Sequence, residues 1–184
     1  MAIACALALL VSIISYLLTA LVRKYALRND VLDHPNERSS HSAPTPRGGG
    51  VAALAALGIA LIVGTAIGAI AERDALTLGL GTLVLGVVGG LDDRGGLRPR
   101  TRLAAHLAVA VWTLSMFGGL PSLAIGTGSI HLGAAGFVLG VLGIIWSINL
   151  FNFMDGIDGL AGSQALLIFG AGATLLFASG DGSL

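Results

Sequence analysis

The sequence predicts an all-α fold, a polytopic bundle of about six transmembrane helices with the N-terminus outside. Three observations carry that reading. Of 184 residues, 55% are hydrophobic and 11% charged, where soluble domains carry about 25% charged residues, and the mean hydropathy is +0.90. Six apolar runs, 1–22, 49–71, 76–91, 103–120, 132–151 and 160–179, approach or exceed the ~20 residues that cross a hydrocarbon core. The basic residues concentrate in alternate loops. Little chain remains for a soluble domain, so 1–184 is expected to form a single membrane domain.

Each run has its own boundary signal. The first has no basic residue before it and is followed by Arg23 and Lys24, so it reads as a retained anchor rather than a secretory leader. The second starts at Gly49, after Pro35, Pro44 and Pro46 have ruled out a continuous helix. The third is closed by Asp92 and Asp93, the fourth opens behind Arg98, Arg100 and Arg102, and the fifth runs into "NLFNFMDGIDGLAG", residues 149–162. Gly156 and Gly159 there are poor helix formers, which predicts a break before the sixth run.

Charge sets the topology. The first connection carries Arg23, Lys24, Arg28, Arg38 and Arg47, the third carries Arg94, Arg98, Arg100 and Arg102, and the second has only Arg73. By the positive-inside rule the odd-numbered connections are cytoplasmic. Parity puts the fifth connection, with Asp155 and Asp158, on the same side. Seven acids, Asp30, Asp33, Glu37, Asp92, Asp93, Asp155 and Asp158, then lie inside, against Glu72, Asp74 and Asp181 outside. No rule about lysine and arginine predicts that bias, so the cytoplasmic face has its own use for carboxylates.

The formal net charge is zero, which gives no support to nucleic-acid binding. The single cysteine, Cys5, cannot form an intrachain disulfide. Glycine recurs as Gly64-x3-Gly68, Gly86-x3-Gly90 and Gly136-x3-Gly140, a spacing that lets helices approach closely in lipid. Packing within one bundle is the first expectation, and a homodimer the alternative. No internal repeat supports an inverted-repeat transporter.

Three polar clusters fall on the cytoplasmic side. "DHPNERSSHSAPTPRGGG", residues 33–50, is either a plain polar loop or, with Arg38, His41 and Arg47 leading to a helix N-terminus, an anion site. "GLDDRGGLRPR", residues 90–100, places Asp92 and Asp93 where a carboxylate at full membrane depth would cost ~2.5–3.5 kcal/mol, and less near the interface. An acid-capped helix end is the bland account. Adjacent like charges nevertheless oppose each other's ionisation unless a cation sits beside them, and a hard ion such as Mg²⁺, held by one or two carboxylates and substrate phosphates, would supply it. In the third cluster Asn149, Asn152 and Asp155, three residues apart, spread over about 120° of one helix face. Unwinding at the glycines would bring Asp158 toward the same space; as a bland alternative, Asp158 caps the next helix.

Taken in order, "DHPNERSSHSAPTPRGGG", "GLDDRGGLRPRTR" and "NLFNFMDGIDGLAG" resemble the polyprenyl-phosphate N-acetylhexosamine-1-phosphate transferases, multi-spanning bacterial inner-membrane enzymes that begin lipid-linked glycan synthesis. The resemblance implies transfer of N-acetylhexosamine 1-phosphate from a UDP-N-acetylhexosamine to undecaprenyl phosphate, with release of UMP and with Mg²⁺ as cofactor. It implies that Asp92 and Asp93 are the acidic pair near metal and lipid phosphate, that Asn152 and Asp155 serve the metal site, and that Asp158 helps bind the nucleotide sugar. Arg38, His41, Thr45 and Arg47 would line the entrance to that site. Such enzymes generally have ten or eleven helices, with a Gly-Asp motif and a His-rich loop in the later part. The chain is therefore expected to be the N-terminal half, and to be inactive alone. Gly180-Asp181-Gly182 echoes the missing motif, but parity puts it outside.

His106, four residues after Arg102, is expected to be a packing histidine rather than a ligand; His34 and His131 carry no signal. A transporter is the rival from another class, but intramembrane ion paths call for ionisable groups near segment centres, whereas Asp92, Asp93, Asp155 and Asp158 sit at segment ends. A CDP-alcohol phosphotransferase would need an arginine that "DGIDGLAG" lacks. An inert fragment that assembles with a partner is the third alternative.

Overall fold

The computed structural model describes residues 2–33, 44–120, 123–125, 128–155, 157 and 159–178. Among them are six helices: α1 (Ala2–Arg28), α2 (Gly49–Ala66), α3 (Glu72–Gly95), α4 (Pro99–Phe117), α5 (Gly133–Met154) and α6 (Leu160–Ala178). Two short antiparallel pairs join them, β1 (Leu32–Asp33) with β2 (Thr45–Pro46) and β3 (Leu123–Ile125) with β4 (Gly128–Ile130). The all-α expectation holds. By length and composition α1, α2, α3 and α5 can cross a membrane. α4 falls short because Arg100, Arg102 and His106 interrupt its apolar surface, and the apolar stretch described in α6, Leu160–Leu175, is shorter than a full span.

Helix ends depart from the apolar runs for local reasons. α3 begins four residues before its run, with Glu72 and Asp74 in its first turn, where acids complement the helix dipole. α4 begins with Pro99 in its first turn, the position that needs no intrahelical N–H. α2 stops at Ala66, five residues early, because the N–H groups of Ala69 and Ile70 both turn back to the Gly64 carbonyl, at 2.8 and 3.0 Å.

The chain divides into two compact units, Met1–Ile70 with Leu150–Leu184, and Ala71–Asn149. In the first, α1 packs on α2, and the most buried side chains there are the alanines Ala26, Ala52 and Ala56. Small residues bring backbones together where lipid provides no hydrophobic drive. Asp30, with φ 56°, turns the chain out of α1. Leu32 then pairs with Pro46 and Asp33 with Thr45, while the Arg47 N–H donates to the Val31 carbonyl at 3.1 Å. This ladder ties the start of α2 to the end of α1.

In the second unit α3 and α4 form a hairpin turned by residues 96–98. His106, Val109, Ala110 and Leu114 form the buried stripe of α4. Ala110, Leu114 and Val141 make a small core, with Phe137, Ile144 and Ile145 of α5 packed against it. At Gly140 a Cβ would come within 2.7 Å of Leu114 Cδ2 and 3.1 Å of Leu120 Cγ, so this glycine lets α5 approach α4. Of the three Gly-x3-Gly motifs, the last thus contributes to packing inside one unit.

Candidate active site

The last turn of α3 carries both acids of the second cluster. Asp92 is half-buried and Asp93 exposed. The Asp92 Oδ1 accepts the Leu97 N–H at 2.7 Å, and its Oδ2 accepts Arg102 Nη1 at 2.7 Å. Gly96, with φ 67°, makes the turn possible, and its N–H returns to the Asp92 carbonyl at 2.8 Å. The backbone and side chain of Asp92 therefore fasten the end of α3, the turn and the first turn of α4. Arg102 is a cation beside Asp92, where the sequence alone points to Mg²⁺ or to an acid-capped helix end.

One turn further along α4, His106 is buried and its Nδ1 lies 3.4 Å from the Asn149 Nδ2 of α5. That burial is what the packing expectation asked of it. The Asn149 Nδ2 also donates to the Ile145 carbonyl at 2.8 Å. Arg102 and the Asn149 link to His106 are the features that residue-by-residue reading missed. Their only signal was spacing, since Arg102, His106 and Ala110 lie on one stripe of α4.

The helix of the third cluster ends where the glycines required. α5 closes at Met154, the Asp155 N–H still donates to the Phe151 carbonyl at 3.0 Å, and Gly159 has φ 76°. Asn152 and Asp155 are exposed. Thr45 and Arg47 sit at the base of the first loop, in and beside the β1–β2 ladder. Arg38, His41 and Asp158 lie outside the described residues.

Among the described residues no three His, Cys, Asp or Glu side chains gather as a metal site. Asn152 and Asp155 offer hard oxygen donors, the kind Mg²⁺ takes, in a number that leaves coordination positions for phosphate and water. The donor set fits Mg²⁺ bound together with a phosphate substrate, and does not fit an all-protein cage.

The family model described as glycosyl transferase family 4 matches residues 75–184. The chain is 32% identical over 165 residues to a decaprenyl-phosphate N-acetylglucosaminephosphotransferase of Mycolicibacterium smegmatis, covering 85% of the chain and 41% of that relative. It is 33% identical over 165 residues to an undecaprenyl-phosphate alpha-N-acetylglucosaminyl 1-phosphate transferase of Yersinia pestis, covering 88% and 44%. With the protein of the same description from Escherichia coli it shares 31% over 166 residues, covering 88% and 44%. The chain thus spans less than half the length of these relatives. No solved structure matches it. With four helices able to cross a bilayer, it is a bacterial multi-pass membrane protein.

Proposed function

The chain belongs to glycosyl transferase family 4, and we propose that it serves the transfer of N-acetylhexosamine 1-phosphate from a UDP-sugar to undecaprenyl phosphate in the bacterial inner membrane. The carrying observation is an acidic pair at a membrane-helix end, in a chain whose relatives bear names that describe transfer of this kind. In this reading residues 1–184 form one membrane domain, the N-terminal half of a ten- or eleven-helix transferase.

The chemistry is phosphoryl transfer. An oxygen of the lipid phosphate bonds to the sugar-bearing phosphorus of the nucleotide sugar, the bond from that phosphorus to the UMP oxygen breaks, and UMP leaves with the electron pair. Catalysis here is mostly positioning and charge neutralisation. Asp93, exposed at the end of α3, would take the proton from a monoprotonated lipid phosphate. Asp92 keeps the turn in place. Asn152 and Asp155 would hold Mg²⁺, which when bound neutralises charge on the diphosphate. Asp158 would contact the nucleotide sugar, with Arg38, His41, Thr45 and Arg47 at its entrance.

Bacterial membranes carrying the complete reading frame, given Mg²⁺, undecaprenyl phosphate and UDP-N-acetylglucosamine, should release UMP. Asp93→Asn should lower the rate about 10²–10⁴-fold, the usual contribution of a general base. Undiminished release in that variant removes Asp93 from the mechanism.

A further inference from the structure

The α3–α4 hairpin carries an apolar groove of about 330 Å³. Gly81 and Val109, both buried, form its floor, while Leu80, Val84, Ala108 and Trp112 make its sides and are exposed. Both helices continue this face toward their shared turn. On α3, Val87, Leu91 and Arg94 follow Val84 at steps of three and four residues, which keeps them on one face, and all three are exposed. On α4, Ala105 and Thr101 recede from Ala108 in the same steps, and Arg98 is the last residue before the helix. Residues 80–84 meet 108–112 at the groove and the chain turns at 96–98, so the two rows run side by side and end at Arg94 and Arg98. Among the described residues neither guanidinium has a hydrogen bond or ion pair, whereas Arg102 is engaged by Asp92.

We propose that this groove holds an acyl chain of an anionic phospholipid of the cytoplasmic leaflet, with the lipid's phosphate at Arg94 and Arg98. Length and charge choose that occupant. Val84 precedes Arg94, and Arg98 precedes Ala108, by ten residues, about 15 Å at the helical rise. That is half of a ~30 Å hydrocarbon core, the depth of one leaflet and so the reach of one phospholipid chain. A polyprenyl chain is far longer than one leaflet is deep, and most of it would lie outside the groove. At the polar end, guanidinium groups pair well with phosphate, and two of them with no partner among the described residues favour a lipid of net negative charge over a zwitterionic one.

The test uses the complete reading frame in phosphatidylcholine nanodiscs containing a small share of phosphatidylglycerol or phosphatidylcholine brominated in its acyl chains. Quenching of Trp112, taken as the difference between the parent and Trp112→Phe, reports occupancy of the groove. The preference for brominated phosphatidylglycerol, read from half-saturating mole fractions, should be about 25-fold in the parent and about 5-fold in Arg94→Gln or Arg98→Gln, at a factor of ~5 for each basic side chain near the surface. Arg100→Gln removes the same charge about 100° round α4 from Thr101 and should keep nearly the whole preference. Equal quenching by the two lipids would overturn the proposal, as would a loss in Arg100→Gln equal to that in Arg94→Gln. Absence of any Trp112 quenching would show the groove covered by protein, and displacement of the brominated lipid by equimolar undecaprenyl phosphate would give the groove to the polyprenyl substrate; either result also overturns it. Binding is read without turnover, so failure of this lipid site and failure of the transferase reading are separate outcomes.

Discussion

Arg102 and Asp92, ten residues apart, meet in a 2.7 Å ion pair that closes the α3–α4 turn. The same carboxylate takes the Leu97 amide at 2.7 Å, so Asp92 joins two helices through two different donors. Both side chains are partly exposed, 38% for Arg102 and 23% for Asp92, which limits the value of the ion pair alone.

That inequality gives a prediction. Arg102→Ala should cost about 0.5–1 kcal/mol, the range of a partly exposed pair. Asp92→Ala also leaves the Leu97 amide without its acceptor and should cost more, about 1–3 kcal/mol. Denaturant titration of helical circular dichroism in detergent checks the order, and equal losses for Asp92→Ala and Arg102→Ala would show that the amide bond contributes nothing.

The glycines divide in the same way. Gly140→Ala puts a methyl 2.7 Å from Leu114 and should cost about 1–3 kcal/mol through overpacking. Gly90→Ala meets nothing within 4 Å and should be neutral or gain up to ~1 kcal/mol through helix propensity. Thermal midpoints of the two variants should therefore move in opposite directions or, at the least, by clearly different amounts.

Topology can be read by thiol labelling in a Cys5→Ser background. α3 has 24 residues, about 36 Å at the helical rise, enough to separate its ends across the bilayer. A cysteine replacing Arg98 or Ile157 should react with a membrane-impermeant maleimide from the cytoplasmic side, and one replacing Arg73 from the opposite side. Labelling of Arg98→Cys and Ile157→Cys from opposite faces would deny the acids of the two clusters a common aqueous boundary, and with it the proposed transferase site.

The sequence by itself determined the helical membrane class, the approximate runs and the ends at which acids gather, because lipid imposes length and apolarity one segment at a time. It also located the break after α5, since Gly159 carries its conformational freedom wherever it stands. Only the tertiary structure decided that the cation beside Asp92 is Arg102, that Asp92 ties the turn to α4, and that His106 reaches Asn149, 43 residues away. Those relations depend on which faces of α3, α4 and α5 meet. Nearly uniform apolar helices leave that choice to a few small and polar side chains, whose partners no local pattern reveals.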